Sequence, residues 1–581
     1  MHISSAFRSF SHLPFFALRE KIRNGYHRKD FLADISAGTV VGLVAIPLGL
    51  ALGIASGVPP QHGLYTIVFA GFLVALFGGS QTQVTGPTAA FVVILLPIVN
   101  KFGISGLLTA GLMAGFLLMG MGALRLGRLI RLVPSPVVTG FTAGIAVVIA
   151  TIQLKDFFGL TVPHMPESYL GRIGALVQAA PSISWAEFIL GICTLTSLFI
   201  VPRFIKKFPA PLIVLPIATI AVFALNRFFP DLNIATLGSR FSFQDGDVVR
   251  KGIPSVLPSF SLPWSPGGQA SSLETIRQLF PSALAIAILG AIESLLSAVV
   301  ADGMARTRHN PDSELLALGI GNIVAPFFGG IPATGAIART ATNVRFGGRS
   351  PVSAMIHAIF ALLAIVVFST VLSYLPMAAM AALLLVVAYN MSEIHYFVRV
   401  VRSAPKHDVT VLYACFLTTV LTDMVVGVAV GMVLAGALFI LRMSQMTHGK
   451  LLAQGARHHA LTEPVPPGVV VYDIDGPMFF GAARLAVDTI VSIENDVKVF
   501  IFSMEDVFSI DFSACLQIKA MLDDLTGKKE VTVVFSGLRT DPRNVLTKAN
   551  VLSENVKNIK IADDLSMAIR IAREQFPAIL S

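Results

Sequence analysis

The sequence predicts an α-helical polytopic membrane protein, with about fourteen spans arranged as an inverted repeat and a small α/β domain after them. Three observations lead there. The 581-residue chain is 54% hydrophobic and 13% charged, with a mean hydropathy of +0.75; soluble domains carry roughly 25% charged residues. One pattern occurs twice. Phe77-Gly78-Gly79 leads to Thr85-Gly86-Pro87-Thr88-Ala89, and Phe328-Gly329-Gly330 leads to Thr334-Gly335-Ala336-Ile337-Ala338. Past Met446 the apolar runs give way to a polar stretch and then to alternating short strand and helix patterns.

The first 30 residues contain Arg8, Arg19, Lys21 and Arg23 and no apolar core, so they do not read as a signal peptide. From residue 31 onward, apolar runs recur at 35–55, 105–121, 138–152, 188–201, 279–300, 352–372, 377–388 and 424–441. Some are too short for a simple crossing and suit broken or tilted spans. Basic residues collect at every second connection: Arg125, Arg128 and Arg131; Arg203, Lys206 and Lys207; Arg306 and Arg308; Arg345 and Arg349; Arg399, Arg402 and Lys406; Arg442 and Lys450. The positive-inside rule makes these loops and both termini cytoplasmic, in a multi-pass protein of the cell (inner) membrane. The net charge of +9 belongs to these loops and does not call for nucleic acid.

The two Thr-Gly segments then begin the third and tenth spans, an odd number of crossings apart. The second copy is therefore inverted relative to the first, which places a binding site near the midplane between the halves. The transmembrane domain is expected at 31–444, a polar linker at 445–466 and a cytoplasmic domain at 467–581. In the last, 469–472, 498–503 and 531–535 read as buried strands, and 513–525, 542–549 and 565–576 as helices. Cys193, Cys415 and Cys515 lack metal-ligand spacing and read as packing residues. With no P-loop, zinc signature, hydrolase elbow or nucleophile–base pair, neither an enzyme nor a cofactor or metal is expected.

Chemistry centres on the repeated segments. Glycine and proline in the two Thr-Gly segments stop a helix from crossing intact, so each segment opens a new helix inside the bilayer with its first N–H groups unpaired. Two positive helix ends meeting at one point suit an anion. Glu293 interrupts an apolar run, and an intramembrane carboxyl marks function. Ser297, four residues on, shares its helix face. The pair could hold a cation, or Glu293 could carry a proton. Arg339 could attract the anion, balance Glu293, or face the cytoplasm. Asp302 and Arg306 suit loop contacts, and Asp34 suits the N-terminus of the first span. An uncoupled anion channel is the competing class, and a buried titratable group argues against it.

These residues resemble the SulP anion transporters, bacterial relatives of the animal sulfate/anion exchangers and prestin. The resemblance rests on Gly290-Ala291-Ile292-Glu293-Ser294-Leu295-Leu296, Thr307-Arg308-His309-Asn310, Glu314-Leu315-Leu316-Ala317-Leu318-Gly319-Ile320-Gly321-Asn322 and the block from Gly329 to Asn343. The tail is similar to a STAS domain at Gly476-Pro477-Met478-Phe479-Phe480-Gly481-Ala482 and Ser509-Ile510-Asp511-Phe512-Ser513-Ala514. The resemblance implies a seven-plus-seven repeat divided into core and gate, an elevator motion and a homodimer. It implies an anion bound among Thr85, Gly86, Pro87, Thr88 and Ala89 on one side and Gly335, Ala336, Ile337, Ala338 and Arg339 on the other. H+ or Na+ would couple through Glu293 and Ser297, and a cytoplasmic protein is a possible partner of the STAS domain. The first span, Pro47-Leu48-Gly49-Leu50-Ala51, resembles the sodium-coupled bicarbonate branch and adds Pro47 to the substrate site. Glu293 instead resembles proton-linked carriers. Phe512 stands where related STAS proteins place a phosphorylatable Ser, which argues against a phosphoswitch.

Overall fold

A computed structural model describes residues 14–128, 133–163, 165–166, 168–205, 208–245, 248–255, 257–264, 273–422, 424–445, 448–452, 465–479, 497–528, 531–552 and 558–575. Arg8, Arg131, Lys206, Lys207, Phe480, Gly481 and Ala482 lie outside the described residues. The chain divides into two compact units, Met1–Val433 and Leu434–Ser581.

Helices of eight or more residues are numbered in order. The first half holds α1 (Phe16–Arg23), α2 (Arg28–Ala55), α3 (Gln61–Phe77), α4 (Ala89–Ala123), α5 (Ser135–Phe157), α6 (Tyr169–Ala179), α7 (Trp185–Phe204) and α8 (Pro211–Phe228). A two-residue strand β1 (Thr85–Gly86) separates α3 from α4, and β2 (Ser242–Asp245) and β3 (Val248–Lys251) form a hairpin after α8. The second half holds α9 (Leu273–Ala305), α10 (Pro311–Val324), β4 (Thr334–Gly335), α11 (Ile337–Arg345), α12 (Pro351–Leu372), α13 (Met377–Ser392), α14 (Ile394–Ser403), α15 (Lys406–Leu421) and α16 (Met424–Gln445). Among the described residues, nine helices are long and apolar enough to cross a membrane. Several start on the expected signals. Pro311 and Pro351 occupy the first turns of α10 and α12 behind the caps Asn310 and Ser350. α4 is two helices across a kink at Gly103, where φ is +68°.

The helices pack in two groups. α4 lies against α9 and α10, and α12 against α2 and α3, while α13 lies against α5 and α7, with α15 also on α5. Buried small residues such as Ala378, Ala379, Ala381 and Ala382 of α13 let these helices approach closely. Large apolar side chains point outward instead, including Ile217, Ile220 and Phe223 on α8, and Val367 on α12. That is the inside-out arrangement a hydrocarbon solvent permits.

Two expectations are corrected here. Asp34 does not serve its own helix start, which Asp30 caps through the backbone N–H of His27 at 3.1 Å. Asp34 is fully buried and accepts from the backbone N–H groups of Arg349 (2.6 Å) and Ser350 (3.2 Å) and from the Tyr26 hydroxyl (2.8 Å), so it holds the start of α12. Of the three cysteines, Cys415 and Cys515 are buried, but Cys193 lies exposed on α7. Asp302 makes local contacts, accepting from Thr307 Oγ1 at 2.9 Å and from the backbone N–H of His309 at 2.9 Å.

The second unit contains a five-stranded sheet of β5 (His448–Leu452), β6 (Val469–Asp475), β7 (Val499–Asp506), β8 (Thr532–Ser536) and β9 (Ile559–Ala562), in that order. β5 pairs antiparallel with β6, and the other pairs are parallel. The stretch read as linker thus begins with a strand, too short to announce itself by alternation. The inner strands alternate between two cores. Val470, Phe500, Phe502 and Phe535 pack with Cys515 and Ile518 of α17 (Phe512–Lys528) and Leu546 of α18 (Thr540–Lys548), whereas Val471, Ile501 and Val534 pack with Leu565, Ala568 and Ile569 of α19 (Leu565–Gln575). Burial among these groups pushes the Cys515 thiol up to about 11. Asp511 accepts from the backbone N–H of Ala514 at 2.6 Å and so caps α17, leaving Phe512 exposed.

Candidate anion site

Each half contributes an extended segment that ends in a helix start. The helical run before each segment ends at Gly-Gly, and a short non-helical stretch, 80–84 in the first half and 331–333 in the second, leads into the strand before the next helix. The two extended segments find each other. β1 and β4 pair antiparallel, Thr85 opposite Gly335 and Gly86 opposite Thr334. The backbone N–H of Ala336 also donates to the Val84 carbonyl at 2.9 Å. α4 and α11 therefore start from adjacent strands, behind the residues Thr88 and Ala336 at their N-cap positions. Neither residue caps its helix through its side chain. The first-turn N–H groups of both helices remain uncapped, which gives two positive helix ends close together.

Thr88 has the chemistry of a cap, yet its hydroxyl donates elsewhere, to the Glu293 carboxyl at 2.9 Å. This bond ties the start of α4 to the middle of α9. Ser297, one turn along α9, bonds Thr340 Oγ1 of α11 at 3.1 Å. Glu293 and Ser297 thus reach opposite halves of the strand pair. The strand pair is braced further: Val84 N–H donates to Thr340 Oγ1 (3.0 Å), Gln83 Nε2 to Ser294 Oγ (2.7 Å), and Thr334 Oγ1 to the Gly290 carbonyl (2.8 Å).

Burial separates the expected site residues into two sets. Thr88 and Glu293 are partly accessible, Ile337 is 45% exposed and Ala338 is exposed; these mark the open side. Thr85, Gly86, Pro87, Ala89, Gly335 and Ala336 are buried and supply backbone. Arg339 is 2% exposed and lies behind the strands, where its Nη2 donates to the Pro87 carbonyl. Its Nε and Nη1 have no hydrogen-bond partner among the described residues. Pro47 is buried inside α2, a helix that packs on both α4 and α11.

Several polar residues here escaped sequence reasoning. Asn343 Nδ2 donates to the Thr82 carbonyl at 2.8 Å, and Asn322 pairs with both backbone groups of Ala333 at 2.8 and 2.9 Å. Glu314 accepts from Gly79 and Ser80, and His62 meets Gly329. His357, fully buried on α12, has no partner for either ring nitrogen among the described residues. Its signal was available: a titratable residue inside the apolar run 352–372 invites the same question as Glu293.

A model of the Sulfate permease family matches residues 31–415, and one of the STAS domain matches 461–568. The "Putative sulfate transporter YvdB" of Bacillus subtilis (strain 168) is 40% identical over 531 residues, 91% of this chain and 95% of that one. The "Bicarbonate transporter BicA" of Picosynechococcus sp. (strain ATCC 27264 / PCC 7002 / PR-6) is 28% identical over 545 residues, covering 90% and 92%. Among solved structures, the transmembrane domain of a cyanobacterium bicarbonate transporter BicA matches with a TM-score of 0.59 at 28% identity, covering 69% of this chain and 98% of that one. The overall structure of SLC26A9 matches with a TM-score of 0.79 at 17% identity, covering 100% and 97%, a likeness of fold.

Proposed function

Because the chain belongs to the sulfate permease family and ends in a STAS domain, we propose that it is a secondary active transporter of a small anion across the cell membrane. The substrate class is a small inorganic or carboxylate anion: sulfate, bicarbonate or a dicarboxylate. One observation carries the reading. The β1–β4 pairing sets two uncapped helix N-termini side by side, and Thr88 joins one of them to an intramembrane carboxyl. Backbone N–H groups and helix dipoles hold an anion without a cationic side chain touching it, and Arg339 behind the strands adds positive potential.

Glu293 is the coupling residue, and protons are its partner. A carboxyl held by a single threonine hydroxyl at the accessible end of the site can gain and lose a proton as access alternates. Sodium would need an ionised carboxylate among roughly five or six oxygens. Here the Ser297 hydroxyl is engaged by Thr340 rather than turned to Glu293, which supports the proton reading. Sodium-coupled bicarbonate symport is the second reading, favoured by the Pro47-Leu48-Gly49-Leu50-Ala51 segment and by the relatives named for bicarbonate.

The group of α2, α3, α4, α9, α10 and α12 carries the site and moves as an elevator against the group of α5, α7, α13 and α15. The transporter works as a homodimer in the inner membrane with both termini cytoplasmic. Its transport domain spans 31–444 and its STAS domain 467–581, the latter joined through 445–466. Removal of everything after Met446 is expected to lower the transport rate or expression and leave measurable, saturable uptake, because both halves of the repeat precede that point.

Counterflow in proteoliposomes with labelled sulfate, bicarbonate and succinate tests the reading. Saturable uptake of at least one, driven by an inward proton gradient at zero sodium, is the expected result. Uptake that follows a sodium gradient at fixed pH overturns proton coupling and keeps the transporter. A non-saturating conductance overturns secondary transport.

A further inference from the structure

α3 and α10 occupy equivalent places in the two halves, since each runs into a Phe-Gly-Gly turn, and they pack against each other. At one end of this pair, Glu314 in the first turn of α10 accepts from the backbone N–H groups of Gly79 (2.9 Å) and Ser80 (3.1 Å). Beside it, the backbone N–H of Asn310 donates to the Gly79 carbonyl at 3.0 Å. At the other end, His62 in the first turn of α3 bonds the Gly329 carbonyl through Nδ1 at 2.6 Å. One turn along, Thr66 Oγ1 donates to the Ile331 carbonyl at 3.0 Å. The start of each helix holds the turn that ends the other.

We propose that Glu314 and His62 are a matched pair of positioning residues, each fixing the opposite half's Phe-Gly-Gly turn and thereby the helix N-terminus that follows it at the anion site. The chemistry is complementary: a carboxyl acceptor gathers N–H groups in the first half, and an imidazole donor takes a carbonyl in the second. Non-helical backbone at membrane depth persists only where protein groups satisfy it. The connections are short. The held Ser80 and the held Ile331 lead directly into the strands that begin at Thr85 and Thr334, with no intervening helix to absorb a displacement. Phe69 of α3 stacks on Phe328 with ring centroids 3.9 Å apart, a further contact between α3 and the second turn. The two holds are separate contacts at opposite ends of the α3–α10 pair, so each turn depends on the other half's helix through its own side chain. The geometry of the clamp is independent of the role given to Glu293, whereas its effect on uptake rests on the anion-transport reading.

Hydrogen exchange on the full-length protein in lipid nanodiscs tests the crossing. Glu314→Leu is expected to speed exchange across 79–86 roughly tenfold or more and leave 330–337 unchanged, and His62→Leu to do the reverse. Glu314→Gln keeps an acceptor and His62→Asn keeps a donor, so both are expected to restore slow exchange. In proteoliposomes the two Leu variants should raise KM for labelled sulfate several-fold at a little-changed maximal rate per folded protein. Exchange that rises equally in both segments, or in neither, overturns the clamp. A crossed exchange pattern in a protein that takes up no labelled anion supports the clamp and removes the transport reading instead.

Discussion

The two helix starts at the centre of the transport domain share a backbone plan but differ in chemistry. In the first half, Thr88 at the head of α4 spends its hydroxyl on Glu293, and no charged side chain occupies the strand or the first turn. In the second half, Ala336 at the head of α11 has no polar side chain, and Arg339 follows two residues into the helix, turned back against Pro87. One start is tied to the ionisable group; the other brings the fixed positive charge. The difference teaches that an inverted repeat need supply only the symmetric frame, namely paired strands and aligned dipoles. The side chains attached to the two starts are free to differ.

The largest expected effect comes from filling the second start. Ala336→Phe places a ring at an N-cap that is 8% exposed, and overpacking of this kind costs about 1–3 kcal/mol even where neighbours give way. Uptake should fall at least roughly 100-fold, since on the proposed reading a bulky group there also occupies the anion's place. Size-exclusion profile and thermal stability should stay near wild type. Unchanged substrate affinity in a folded variant breaks the assignment of this half.

Glu293→Gln sharpens the proposal that the start tied to Glu293 through Thr88 is the coupled one. If protons couple as proposed, the loaded carrier holds the protonated acid, so wild-type uptake should fall as external pH rises, and the neutral amide should remove that dependence. Anion binding should persist while accumulation against a gradient is lost, measured as steady-state uptake with and without an imposed pH difference. A Gln variant that accumulates like wild type under both proton and sodium gradients removes Glu293 from the mechanism.

A smaller effect separates the glycines of the two strands. A Cβ at Gly335 would stand 2.3 Å from Gln83 Nε2 and 2.9 Å from Ser294 Cα, so α9 itself must yield. At Gly86 the conflict is with Arg339 Nη1 at 2.5 Å, the movable end of a side chain. Gly335→Ala should therefore lower uptake several-fold more than Gly86→Ala, by rates measured on equal amounts of folded protein. Equal losses would mean that the guanidinium is as rigid as the helix.

Much of this was legible in the sequence because it follows from local rules. Hydropathy and length announced the spans, Gly and Pro announced where helices break, and Glu293 stood out against its apolar run. The strands of the second unit were announced as short apolar runs between turn residues, and the structure assigned Val470, Phe500 and Phe502 to one face and Val471 and Ile501 to the other. The strand at His448–Leu452 was not, because five residues at a sheet edge carry no periodicity of their own. Nor does spacing say where a side chain looks. That Arg339 lies behind the strands, that Ser297 bonds Thr340 instead of facing Glu293, and that Asp34 serves α12 are decisions of packing between segments dozens to hundreds of residues apart. The sequence by itself determined the membrane class, the repeat and the places where backbone N–H groups come free, since each depends on solvent transfer and local backbone sterics. Only the tertiary structure decided which polar groups meet, because in a low-dielectric interior each buried donor must take the partner that folding brings within 3 Å or so.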